Sequence, residues 1–243
     1  MLTTLPFTVV ILLLTYIRTE TFQIPALFEF SDTAPIVTVT ALVIGFMLAG
    51  VMADHKEGEK LPAEIACGLQ GIHDCIQAEV THLSETDLLN LKQYHETLCQ
   101  AVVNWLFNRE SAESSYTALR AILAAHGTPP SFKINVIRNI DAIRRSITRV
   151  DVIRRTDFIR TGYALLDVFV TLTLTLLVFA NFKHPVAQYA IIGSISLVYV
   201  YILRLIRDLD NPFDYAHDGS AGASEVDYFP IIEAIKRLGY EHG

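Results

Sequence analysis

Asp167 is the single charged residue in an otherwise apolar stretch, 162–180, and Thr171 and Thr175 follow it at intervals of four. On a helix that spacing sets a carboxylate and two hydroxyls in a row along one face. A carboxylate inside an apolar run of membrane length is costly, and it faces a bundle interior or water. Two readings stay open for the row: Asp167 pairs structurally with Arg160 or Arg204, or the three residues mark an ion path. His73/Cys75 and the i, i+4 pair His95/Cys99 could touch a metal, but no four-ligand set assembles around them. Cys67, Cys75 and Cys99 are therefore read as buried small residues in a reducing compartment. No nucleotide-binding loop, nucleophile elbow, zinc signature or carboxylate–histidine constellation appears, so the chain is not expected to be an enzyme.

The third chemical feature is charge. Residues 133–160 hold eight Lys or Arg against three acids, whereas 54–100 hold three against nine. Arg138 and Arg145 lie seven residues apart, on roughly one face of a helix. Either these segments are complementary helical faces near a membrane surface, or the basic one lines a vestibule that concentrates anions. The charges alone leave both open.

These residues sit in a chain of 243 residues that is 51% hydrophobic and 19% charged, with a formal net charge of −7. Its apolar residues are clumped. Stretches 35–53 and 186–203 carry no charge, 162–180 carries one, and 1–17 is a shorter apolar run without the basic start or small-residue cleavage site of a secretory signal. Four membrane-spanning helices are expected. Lys56, Lys60, Arg149, Arg154, Arg155, Arg160, Arg204 and Arg207 flank the span ends on one side. That places both termini and the 54–160 region in the cytoplasm, with Arg18 on the opposite side as the exception.

Between the second and third spans the punctuation is helical. The second span is expected to continue from Lys56 to Leu83, despite Gly58 and Pro62. "SETD" at 84–87 resembles a capping box and opens a helix carrying Leu88, Leu91, Leu98, Val102 and Leu106. "HGTPPS" at 126–131 is a break. After it Val136, Ile140, Ile143, Ile147 and Val150 recur at helical spacing as a packing seam. In the second span Ala41, Gly45, Ala49 and Ala53 form a ridge of small residues that lets another helix approach closely. Beside it Thr38, Leu42 and Phe46 form a bulkier stripe that could face a lumen, more protein or lipid.

Two stretches, "ALVIGFMLAGVMADHKEGEKLPAE" and "LDNPFDYAHDGSAGASEVDYFPIIEAIKRL", resemble the pore-lining helix and the D/N-P-F exit of the last span in the bestrophin family of anion channels, and especially its bacterial members. The order of spans and insert agrees with that family over most of the chain. The resemblance implies a homopentamer in the bacterial inner membrane. Its hydrophobic neck would fall on Thr38, Leu42 and Phe46, the stripe already read from spacing, although a threonine departs from the usual apolar residue at the first position. Animal members clasp calcium with consecutive acids after P-F. Here only Asp214 and Asp218 are offered, so no cofactor is expected and calcium is unsupported.

The expectation is an all-α, four-span membrane protein with a cytoplasmic helical bundle between the second and third spans. The segments are 1–53 (first helix pair), 54–160 (cytoplasmic helices), 161–206 (second pair) and 207–243, a tail ending in an amphipathic helix at 228–238. Phe213 would pin that tail onto the cytoplasmic helices. The expected function is an oligomeric channel passing chloride or other anions. Its partners would be further copies of the chain, membrane lipid and inorganic anions, with no nucleic acid. The alternatives are a membrane-anchored sensor or scaffold whose bundle recruits a partner, and a small transporter using Asp167.

Overall fold

A computed structural model of the chain describes residues 4–125, 130–155, 160–215, 222 and 224–240. Its helices are α1 (Leu5–Tyr16), α2 (Phe30–Gly58), α3 (Leu61–Ala78), α4 (Glu85–Leu106), α5 (Ala112–Ala125), α6 (Pro130–Arg155), α7 (Arg160–Val178), α8 (Pro185–Leu209) and α9 (Phe229–Arg237). One π-turn, Ile17–Thr21, extends α1. Two two-residue strands, β1 (Phe28–Glu29) and β2 (Ala180–Asn181), pair in parallel.

The described chain forms two compact units. The first comprises residues up to 53 together with 157–210. By length and composition the helices beginning at Phe30 and at Pro185 can cross a membrane, and Gly162–Val178 is a shorter apolar helix. Ile44, Met47 and Val51 of α2 pack with Leu166 and Val170 of α7 and Tyr199 and Ile206 of α8. Their spacing, 3 and 4, sets one buried stripe on α2. Two hydrogen bonds between its helices pair polar groups that burial would otherwise leave costly. Thr40 and Thr173 share a buried hydrogen bond of 2.7 Å, and the Tyr199 hydroxyl donates to the Val37 carbonyl at 2.7 Å.

The second unit holds residues 54–156 and 211 onward. The expected α6 seam is its spine: Val136, Ile140, Ile143, Ile147 and Val150 are all at most 1% exposed. They meet Ile65, Leu69, Ile72 and Ile76 of α3, which recur at 4, 3 and 4 and are fully buried. Two glycines let these helices come close. A methyl group at Gly68 would collide with Ile143 Cγ1, and one at Gly71 would lie 2.6 Å from Asn139 Nδ2. Ser84 caps α4 as expected: its hydroxyl accepts from the Asp87 N–H at 3.1 Å and donates to the Asp87 carboxylate at 2.6 Å. At the other end of α4, Arg154 donates to the carbonyls of Trp105 and Leu106 and lies over the Trp105 and Phe213 rings, 5.2 and 5.9 Å from their centroids. Burial lowers the Arg154 pKa.

The expected continuous helix from Lys56 to Leu83 is corrected to two. α2 ends at Gly58, Glu59 and Lys60 form a turn, and α3 runs only to Ala78. Pro62 sits in the first turn of α3, where its missing N–H costs nothing. Gly58 has a second role: a Cβ there would lie 3.2 Å from the Phe213 ring, so its absence admits the tail. Phe213 is fully buried in this unit's core. α9 follows the expected amphipathic segment and buries Ile231, Ala234 and Ile235. Of the expected break at 126–131, residues 126–129 lie outside the described residues, and α6 starts at Pro130.

Candidate functional site

α2 has two opposed faces within the first unit. Its buried stripe is spent on α7 and α8, which turns Thr38, Leu42 and Phe46 outward. Leu42 is 58% exposed and Phe46 70%. Ala41, Gly45 and Ala49 beside them are also exposed, and a Cβ at Gly45 would meet nothing within 4 Å. The Thr38 hydroxyl donates to the Ala34 carbonyl at 2.9 Å, so the one polar side chain of the stripe is turned back onto its own helix. The result is an apolar helix face, small on one side and bulky on the other, with no covering group among the described residues of its unit.

The residues of the Asp167 row have different partners. Asp167 accepts from Arg207 Nη2 at 2.7 and 2.8 Å, and both side chains are about half exposed. The expected partners were Arg160, whose side chain is outside the described residues, and Arg204, which instead lies over the Phe7 ring at 5.1 Å. Thr171 and Thr175 are joined by the Thr175 hydroxyl donating to the Thr171 carbonyl at 2.7 Å. They border a cavity of about 410 Å³ walled by α1, its π-turn and α7, with Arg18 in its lining. Arg18 is the functional candidate that reading the sequence missed. Its position on the side of the spans with few bases, shared only with Lys183 among Lys and Arg, was the available signal.

In the second unit Arg138 and Arg145 are exposed on α6. Arg145 borders a cavity of about 590 Å³ between α3 and α6, where Lys60 and Arg149 face Glu57 and Glu64. Arg149 clasps Glu57 with two bonds of 2.6 and 2.7 Å, which lowers the Glu57 pKa and raises its own. Ser146 donates to Glu64 at 2.9 Å, and Arg144 pairs with Asp141 at 3.4 Å. Part of the basic surplus on α6 is thus matched by acids on α2, α3 and α6 itself. Asp214 is exposed, Asp218 lies outside the described residues, and no group of three His, Cys, Asp or Glu able to hold a metal occurs among the described residues. Cys99 is buried, Cys75 partly so, but Cys67 is exposed, against the expectation for all three. His95 is placed by the Leu69 carbonyl, which accepts from Nε2 at 3.0 Å, and by the Tyr240 hydroxyl, 3.0 Å from Nδ1.

The chain is mostly helical, and two of its apolar helices have the length and composition to cross a membrane, one of them with a bare apolar face. Solved structures share this fold. A variant of a bacterial bestrophin homolog from Klebsiella pneumoniae superposes with a TM-score of 0.78 at 13% identity, over 98% of this chain and 96% of that one. The same homolog solved by zinc phasing gives 0.75 at 12% identity over 99% of both chains. A variant solved as a membrane protein gives 0.80 at 12% identity, also over 99% of both. No family model matches the sequence, and no curated protein matches it by sequence. The chain has a bestrophin-like fold.

Proposed function

We propose that the chain assembles into a closed ring, most simply of five subunits, and conducts chloride or other inorganic anions along an axial pore lined by α2. In this reading α1, α2, α7 and α8 cross the bacterial inner membrane, and both termini and the second unit lie in the cytoplasm. The observation that carries it is the outward face of α2. Leu42 and Phe46, 58% and 70% exposed, stand one turn apart beside a bare ridge of small residues. The ridge suits close approach by a neighbouring helix. Repeated about an axis, the bulky stripe becomes successive apolar rings, which gate by dewetting because water in a narrow apolar tube keeps too few hydrogen-bond partners.

The likeness to bacterial bestrophin homologs supports the same arrangement. The exposed bases of α6 supply a field that favours anions. Asp167, held by Arg207, has a structural partner, which weakens the case for a carboxylate-driven transporter.

Single-particle imaging of the purified protein tests the arrangement. Five subunits with α2 nearest the axis is the expected image; a monomer, or a ring with α2 on its rim, contradicts it. The anion preference is tested with Arg138→Glu combined with Arg145→Glu. That double variant is expected to lower chloride conductance and move the reversal potential toward cations.

A further inference from the structure

Arg18 stands on the π-turn that ends α1, and it is only 7% exposed. Its Nε and Nη1 are shut off from solvent and have no hydrogen-bond partner among the described residues. Among the described residues no carboxylate faces it. The titratable neighbour is Tyr189, whose hydroxyl is engaged with Thr19 at 3.1 Å. A buried guanidinium left without an acceptor is expensive, and an anion brought to it recovers that cost as charge-assisted hydrogen bonds.

The residue is held in place. The Ile24 N–H donates to the Arg18 carbonyl at 3.0 Å and Phe22 N–H to that of Ile17 at 2.9 Å, while Gln23 takes a left-handed conformation (φ 49°) that turns the chain back. The cavity it borders, about 410 Å³, is otherwise almost entirely apolar. Leu14, Phe22, Leu174 and Phe179 line it, with Phe22 69% and Leu14 52% exposed at its open side, and Thr175 adds a hydroxyl. A cation at one point of an apolar trough is the complement of an anion with a hydrocarbon tail.

We infer that this cavity binds an anionic amphiphile, its carboxylate or phosphate on Arg18 and its acyl chain along Leu14, Phe22 and Phe179. The site rests on the membrane reading above but not on conduction.

The test uses the purified oligomer exchanged into amphipol, with thermal unfolding followed against laurate, phosphatidylglycerol, dodecanol and inorganic phosphate. Near ten times its Kd, a bound amphiphile raises Tm by about 3–6 °C. A shift with laurate assigns a free carboxylate, and a shift with phosphatidylglycerol alone assigns a lipid phosphate; either supports the site. Dodecanol matching laurate would remove the charge from the argument, and inorganic phosphate acting alone would remove the chain. Each of those results, or no response to any of the four, overturns it.

Arg18→Met is expected to abolish the shift while the ring and its currents persist. A retained shift overturns the assignment. Where Arg18→Met does not assemble, Thr175→Phe fills the cavity from its exposed wall with Arg18 intact, and it must abolish the same response. A lost response with intact currents, or intact response with absent currents, separates this inference from the channel reading.

Discussion

Phe46→Ala separates a lining residue from a packing one. In the subunit Phe46 is 70% exposed, so less than a third of its surface is covered by its own chain. Full burial of a phenylalanine contributes about 1.5–3 kcal/mol, so the truncation should cost the subunit under about 1 kcal/mol. Ile44, two residues away on the opposite face, is 3% exposed against α7 and α8. Ile44→Ala should cost about 2–5 kcal/mol, most of it the cavity left behind, which persists where lipid replaces water as solvent. If Phe46 forms an apolar ring about the axis, shortening it widens the ring and raises open probability. Thermal unfolding, oligomer mass and single-channel recording on both variants give the answer. A Phe46→Ala protein as unstable as Ile44→Ala, dissociated or silent, would refute the assignment of this stripe to a pore.

Three further outcomes follow from the second unit. Arg154→Ala removes donors to two α4 carbonyls and a cation stacked on Trp105 and Phe213, and should lower stability by about 2–3 kcal/mol in thermal unfolding. Lysine should restore little of it, lacking the planar guanidinium. Gly68→Ala, which would stabilise an open helix by about 1 kcal/mol, should instead destabilise by about 1–3 kcal/mol because its methyl meets Ile143. Burial raises the Cys99 thiol and the Tyr240 hydroxyl each to about 12. Their neutral forms are favoured by the fold, so this stability is complete below about pH 9 and is lost as pH rises toward 12. Tm measured from pH 8 to 12 should fall over that window, and less steeply in Cys99→Ala.

The parts of the fold that were legible in the sequence are those where a single helix decides the outcome. The α6 seam and the Ser84 cap follow from spacing and from a side chain three residues from its target, and both are local. So is the stripe Thr38, Leu42 and Phe46, although spacing alone left open whether it met a lumen, protein or lipid. What was not legible depends on how two helices are rotated against each other. Arg204 and Arg207 are three residues apart on α8, and only the seating of α8 against α7 decides that Arg207 takes Asp167 while Arg204 covers Phe7. The turn at Glu59–Lys60 was hidden in a charged run, residues 54–60, that a solvated helix also accommodates, and the packing role of Gly58 shows only once Phe213 is seen against it. Arg18 registered only as an orientation anomaly. Its burial comes from a π-turn that no periodicity announces.

The central claim is that assembled chains pass anions. Purified protein reconstituted in planar bilayers under a potassium chloride gradient tests it most directly. The account predicts unitary currents that reverse toward the chloride equilibrium potential, with altered gating in Phe46→Ala. Silent bilayers from intact rings, or currents reversing at the potassium potential, would contradict it.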